Sequence, residues 1–247
     1  MWEQILPGLR IKIFLTVVLG VIYPLAMTGI SQLIFPYQAN GSLIKSGDKV
    51  VGSEIIGQGF SKPEYFHSRP SNAGSGYDGT ASNGSQLGPT SAKLLRGTTK
   101  MDDKTKMEVV DFDGISLRVV HFCLENDIPY ESSVPLDQFK DSNGNLDDVK
   151  LIKAFNNEKT PLVFTPKKEI PADAVTGSAS GLDPHISPDS AQFQLARVAK
   201  ARGISTDQAN ALVTQFTEGA TFGLLGEPRV NVLKLNLALD QKYPLKK

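Results

Sequence analysis

The chain is short of the residues that chemistry most often needs. Its 247 residues hold one cysteine and three histidines. A single cysteine, Cys123, rules out an intrachain disulfide and a zinc knuckle. His67, His121 and His185 form neither H-x-x-x-H nor H-E-x-x-H, so no histidine metal motif is present. Net charge is also missing: 26 basic residues balance 26 acidic ones. That balance argues against a nucleic-acid partner, which calls for a basic excess or stripe. A Walker-type phosphate loop is absent as well. Gly74-Ser-Gly-Tyr-Asp-Gly79 matches G-x-G-x-x-G, but Pro70-Ser-Asn-Ala precedes it and Thr80-Ala-Ser-Asn follows. A dinucleotide site needs a strand before the glycines and a helix after them.

The most informative absence is local. No charge occurs between Lys12 and Lys45. Residues 13–35 are predominantly apolar, and at ~1.5 Å per residue they reach about 34 Å, slightly more than a bilayer's hydrocarbon core. A transmembrane helix is expected over 13–35. A cleaved signal peptide would need small residues in an A-x-A-like pattern. The sequence offers Tyr23-Pro24-Leu25-Ala26, and the apolar character continues to Phe35. Arg10 and Lys12 flank the N-terminal side, which predicts a cytoplasmic N-terminus over residues 1–12 and about 210 residues outside. Trp2 and Tyr37 sit where interfacial aromatics are expected. Thr16, Gly20, Pro24 and Thr28 recur every four residues, and Tyr23 adds a hydrogen-bonding group. These five are candidate helix-contact positions, because small residues let a partner helix approach closely.

Beyond the span the expectation is an α/β domain. Residues 36–95 form its loop-rich first half, 171–247 its helical second half, and 96–170 a charged insertion or subdomain of uncertain fold. Lys45–Ile56 reads as extended. The 57–91 stretch is rich in Gly, Ser, Asn and Pro, yet Phe60, Tyr65, Phe66, Tyr77 and Leu87 suggest an ordered, packed loop. In the central block Ile115, Val119 and Phe122, continued by Cys123 and Asn126, share a helical face. A second helix is expected over Asp147–Phe155, then a strand at Leu162–Phe164. Ser187-Pro188-Asp189 carries an N-cap, a proline at the first helical position and an early acid. That helix should stop at Gly203. Ser205–Gln208 is a capping box opening a further helix. Val230–Leu239 fits strand or helix.

Gly177-Ser-Ala-Ser-Gly181 with Asp183 and His185 raises a membrane-anchored extracytoplasmic hydrolase as the alternative function, with His185 and Ser178 or Ser180 as its residues. However, a nucleophile elbow places serine in the middle of G-x-S-x-G, and here the middle residue is Ala179. The turn reads better as capping the Ser187 helix. No residue is assigned a catalytic, cofactor-binding or metal-binding role. Arg69, Asp183, His185 and Arg229 are candidates for ordering loops or meeting partners.

Several segments then carry a resemblance. They include Tyr23-Pro-Leu25, Phe35-Pro-Tyr-Gln-Ala-Asn-Gly-Ser42, Phe66-His-Ser-Arg-Pro-Ser71, Gly84-Ser-Gln-Leu-Gly-Pro-Thr90, Ser178–Pro188, Arg197–Gly203, Gly226-Glu-Pro-Arg-Val-Asn-Val232 and Leu235–Asp240. Together, over roughly 6–95 and 171–241, the chain resembles the C subunit of Kdp potassium-transporting ATPases, the KdpC family. The resemblance implies a non-catalytic accessory subunit in the cytoplasmic membrane of a prokaryote. Its implied partners are a channel-like potassium-translocating subunit, a P-type ATP-hydrolysing subunit and a small single-span subunit. ATP and potassium would be handled by those partners. The family label also implies a catalytic chaperone that raises the ATPase subunit's affinity for ATP. The 96–170 segment looks longer than the link usual in that family.

Overall fold

The charge-poor N-terminus is helical in the computed structural model, which describes residues 2–245. Helix α1 covers Trp2–Val17, a π-helical turn covers Val18–Ile22, and α2 covers Tyr23–Ile34. The side chain of Trp2, expected at a membrane interface, lies outside those described. The helix is longer than the expected 13–35 span and takes in the 2–12 stretch. Isolated charges such as Arg10 and Lys12 do not break a helix; bilayer thickness limits only the part that crosses. Within Gln4–Ile34 an 18-residue window reaches a mean hydropathy of 2.2, and none of it is buried. The helix stops one residue before the expected end. Phe35 adopts φ −131°, ψ 59°, as the ring of Pro36 disfavours α geometry in the residue before it.

The π turn sits just before Pro24. The Tyr23 N–H bonds to the Val18 carbonyl, five residues back. Pro24 cannot donate, and its ring crowds the Gly20 carbonyl. Widening the turn by one residue relieves that clash. The extra residue rotates the rest of the helix by about 100°, so Thr16 does not stand straight above Pro24 and Thr28.

Proline at its first position opens α3, Pro36–Ala39. The segment expected to be simply extended is a hairpin, β1 (Leu43–Ser46) against β2 (Lys49–Ser53), antiparallel with Ser46 opposite Lys49. Gly47, at φ +61°, supplies the left-handed turn residue. These residues form one compact unit up to Ile55; a second begins at Ile56.

In the second unit, residues 57–91 contain no named helix or strand, yet Phe66 and Ala73 are fully buried. The aromatic spacing had indicated such order. Next come α4 (Ala92–Arg96), then β3 (Thr98–Met101) paired antiparallel with β4 (Glu108–Phe112). Helix α5 (Gly114–Glu125) follows, then β5 (Tyr130–Ser132), α6 (Asp148–Phe155) and β6 (Phe164–Pro166), with β5 antiparallel to β6. Leu117 and Val120 of α5 pack with Leu151, Ile152 and Phe155 of α6 and with Leu162. The expected α5 face is buried at its end, at Cys123 and Asn126, but displaced before that: Ile115, Val119 and Phe122 are half-buried, while Leu117 and Val120 are buried. Both sets have helical spacing, and α6 decides between them by covering Leu117 and Val120. The helix expected over Asp147–Phe155 forms from Asp148, with Asp147 as its cap accepting from the Lys150 N–H. Leu162 serves the core rather than the strand, which begins only at Phe164.

The remaining elements are α7 (Ala172–Val175), β7 (His185–Ile186), α8 (Pro188–Arg202), α9 (Thr206–Gln215), β8 (Thr217–Glu218), β9 (Arg229–Asn231) and α10 (Val232–Lys242). The sheet order is β7-β9-β8, antiparallel throughout. The Ser187 cap, the left-handed stop at Gly203 (φ 65°) and the Ser205–Gln208 capping box all form. The Val230–Leu239 ambiguity resolves at Asn231, whose side chain accepts from the Lys234 N–H at 3.0 Å and converts strand to helix. Leu195, Val198, Leu212, Val213, Val230, Leu235 and Leu239 enclose Phe66 in a second core. Helix and strand are therefore mixed as expected, but every described strand pair is antiparallel.

Candidate functional site

The 57–91 loop has no sheet neighbours, so its buried backbone must find other partners. Two carboxamides supply them. Asn236 of α10 accepts from the Phe66 N–H at 2.9 Å and donates to the Phe66 carbonyl at 2.9 Å. Gln194 of α8 does the same for His67, at 2.7 and 3.2 Å. Both side chains are almost fully buried. Together they stand in for one rung of a β-ladder and fix the loop to two helices.

Downstream, Arg69 donates to Asp183 at 2.9 Å and to the carbonyls of Thr176 and Gly177 at 3.4 Å. Asp183 also accepts from the His185 backbone N–H at 2.9 Å, with the imidazole 3.6 Å away. Burial alone would raise the Asp183 pKa, but the His185 hydrogen bonds and the Arg69 guanidinium outweigh it and hold the carboxyl below its ordinary value. Tyr77 donates to the Arg69 carbonyl at 2.7 Å, and burial pushes its phenol up to about 12. Ser71 donates to the Gly181 carbonyl at 2.6 Å. Gly57 is obligatory here: a Cβ would collide with the Asp183 carbonyl and lie 2.7 Å from the Tyr77 ring.

Three of the four loop candidates, Arg69, Asp183 and His185, thus meet in one cluster. The fourth, Arg229, instead pairs with Glu218 at 3.2 Å across β8 and β9. The hydrolase residues do not assemble. Ser178 and Ser180 accept from the Gly181 and Leu182 N–H groups and lie 3.4 Å apart, and neither is hydrogen-bonded to His185 among the described residues. That turn does not cap the helix as expected: Ser187 caps it, accepting from the Ser190 N–H at 3.0 Å, and is itself held by Asp173, which accepts from both its N–H and its hydroxyl.

Beside this cluster lies an open cleft of about 650 Å³. Three of its basic side chains each meet an acid. Arg118 is held bidentate by Asp113 at 2.6 and 2.7 Å. His121 meets Asp148 at 2.8 Å, and His67 meets Glu125 at 3.4 Å. The hydrogen bond to Asp148 raises the His121 pKa. The hydrogen bond to His67 lowers the Glu125 pKa. Arg197 of α8 donates to the Pro63 and Tyr65 carbonyls at 2.8 and 2.9 Å and to Asn126 at 3.0 Å. Burial pushes the Cys123 thiol up to about 11, as suits the core residue expected from sequence. Among the described residues no group of three or more His, Cys, Asp or Glu is placed to hold a metal.

Sequence reading missed Gln194, Asn236, Arg118 and Arg197. The available signal was polarity inside an apolar face: Gln194 lies beside Leu195 and four residues before Val198, and Asn236 lies between Leu233 and Leu239. In the helical N-terminus Tyr23 is 58% exposed, and the Thr28 hydroxyl donates to the Pro24 carbonyl at 2.8 Å. That bond satisfies the hydroxyl within its own helix, as threonine commonly does.

A family model described as KdpC, K⁺-transporting ATPase, c chain, matches residues 5–137 and 138–241. The chain belongs to the KdpC family. Proteins named potassium-transporting ATPase KdpC subunit are similar over nearly its whole length. The one from Myxococcus xanthus is 41% identical over 244 residues, covering 98% of this chain and 90% of the relative. Those from Koribacter versatilis and Rhodospirillum rubrum are 39% and 41% identical, each covering 99% of this chain and 98% or 99% of the relative. These matches run through 96–170, so the segment expected as an addition to the family is shared with these KdpC relatives. Membership makes the chain a subunit of a potassium-transporting ATPase, and its one long apolar helix fits a single-pass anchor.

Proposed function

We propose that this subunit is a non-catalytic accessory chain of an ATP-driven, high-affinity potassium uptake complex. ATP hydrolysis and potassium passage belong to its partners: an ATP-hydrolysing subunit, a channel-like subunit and a small single-span subunit. The N-terminus faces the cytoplasm of a prokaryote, and the unit from Ile56 onward is extracytoplasmic. Family membership carries this reading, and the Arg10 and Lys12 flank supports the orientation. In that orientation the folded unit cannot touch a cytoplasmic nucleotide. A chaperone effect on ATP affinity must therefore pass through packing of the helix, where Gly20 and the π turn before Pro24 leave room for a neighbour.

The test is potassium-stimulated ATPase activity of the purified complex, assembled with and without this chain. Loss of stimulation without it, restored by adding it back, is expected. Full activity and full ATP affinity without the chain would refute the proposal. Substituting Gly20 by Leu should weaken assembly while leaving unfolding of the unit beyond Ile56 unchanged.

A further inference from the structure

The open cleft draws its lining from both cores of the second unit. Leu117 and Phe122 come from α5, which builds one core, while Ser190 and Gln194 come from α8, which builds the other. Its volume of about 650 Å³ falls within the range of small-molecule sites, which favour such junctions. Ser190 stands out in this lining. The residue is 1% exposed, and its hydroxyl has no hydrogen-bond partner among the described residues. A buried hydroxyl left unpaired is destabilising, so a fold that keeps one there calls for a partner from outside the chain.

The free capacity in the cleft is for accepting hydrogen bonds. Arg69 and Arg118 are each ion-paired, with Asp183 and Asp113. Two carboxylates remain, Asp148 and Glu125, and each has only a histidine as its ion-pair partner among the described residues. Asp148 engages His121 through Oδ1, and Glu125 engages His67 through Oε2, so Oδ2 and Oε1 are left to accept from a ligand. A neutral imidazole leaves its carboxylate's charge uncompensated. Arg197 acts on Glu125 from outside the lining, but its N–H groups go to Asn126, Gln194 and the Pro63 and Tyr65 carbonyls. A ligand matched to these groups donates hydrogen bonds and carries positive charge. His121, which brings Asp148 to the site, and Glu125 are four residues apart on one face of α5, about 6 Å along its axis. Phe60 and Phe122 are half-buried in the same lining and suit an alkyl chain that ends in an ammonium group. A bare inorganic cation instead requires a shell of oxygen ligands.

We infer that this cleft binds a small aliphatic polyamine, whose ammonium groups donate to Asp148, Glu125 and the Ser190 hydroxyl while its alkyl chain lies against Phe60 and Phe122. The site is a function of the folded unit beyond its part in potassium transport, and it stands whether or not the accessory-subunit reading holds.

Isothermal titration calorimetry on the full chain in detergent tests it, with putrescine and spermidine as probes. The buffer is mildly alkaline, where an ordinary imidazole is neutral, and contains sodium chloride at about 0.15 M, which screens attraction to surface charges. Saturable binding of either amine, and none of mannitol or potassium chloride, is expected. Glu125→Gln should weaken the amine roughly tenfold or more, because a charge-assisted hydrogen bond is lost. Ser190→Ala should weaken it roughly threefold or more. It should also leave the melting temperature unchanged or higher, because it removes an unpaired buried hydroxyl, so lost folding cannot explain its lost binding. No saturable binding of either amine, equal binding of mannitol or potassium chloride, or wild-type affinity in either variant overturns the inference. The accessory-subunit reading survives each of those results.

Discussion

Replacing Asn236 by Leu tests whether the loop is held by side-chain amides. The substitution keeps roughly the size of the side chain but removes both partners of Phe66. An orphaned buried backbone group costs about 1–3 kcal/mol, so two would cost about 2–6 kcal/mol if the loop stayed in place. The loop has a less costly escape. It can peel away and hydrate those groups, giving up burial of the Phe66 ring, worth about 1.5–3 kcal/mol. The easier route caps the loss, so local opening at residues 64–69 should become easier by about 2–3 kcal/mol. That corresponds to roughly 30- to 150-fold faster amide exchange. Hydrogen exchange read by mass spectrometry on peptides spanning 60–75 measures it directly. Gln194→Leu should do the same at His67. If exchange at 64–69 stays within about threefold of wild type in both variants, the carboxamide rungs do not hold the loop.

Gly57→Ala should destabilise the second unit by about 1–3 kcal/mol through overpacking against Asp183 and Tyr77, read as a lowered melting temperature. Cys123 should react with a thiol reagent at pH 8 roughly 100-fold or more slowly in the native chain than after denaturation, since burial both shields the sulfur and lowers its thiolate fraction; native labelling at the denatured rate would refute the buried placement. The His121 pKa is raised, so the stabilisation from Asp148 is fully present below the ordinary value of 6.5 and is lost as pH rises through the raised one. Asp183 and Glu125 are lowered, so their contributions are present above the ordinary carboxylate values and vanish as pH falls through the depressed ones. Stability measured against pH should fall at both ends, and His121→Gln should flatten mainly the alkaline side, with a smaller effect on the acid side through Glu125.

Local signals in the sequence were legible where a single residue decides a local geometry. Ser187, Pro188, Gly203, Ser205 and Gln208 act within one turn of their own helix, and each lies where its chemistry places it. The aromatic punctuation of 57–91 correctly indicated a packed loop. Failures came where a remote element chooses between equivalent local options. Helix α5 offers two apolar faces, and α6 selects one. The Arg69–Asp183 pair spans more than a hundred residues, so its members could be named but not joined. Arg229 looked equivalent to them and belongs to another strand pair. The 96–170 block reads from sequence as a charged insertion, although it is shared with the relatives and builds a core of its own.

The direction of the titration shifts bears on what the cleft and cluster do. Catalytic acids and bases are tuned toward the working pH, where both protonation states are accessible. Here the shifts run mostly the other way. Asp183 and Glu125 move down, Tyr77 moves up to about 12 and Cys123 up to about 11. Each shift locks the charge state the group already has near neutrality. Arg69, Arg118 and Arg197 are occupied in holding carbonyls and carboxylates from distant parts of the chain. Side chains arranged this way act as fasteners that stabilise one geometry. Such an interior supports a subunit whose contribution is a rigid shape.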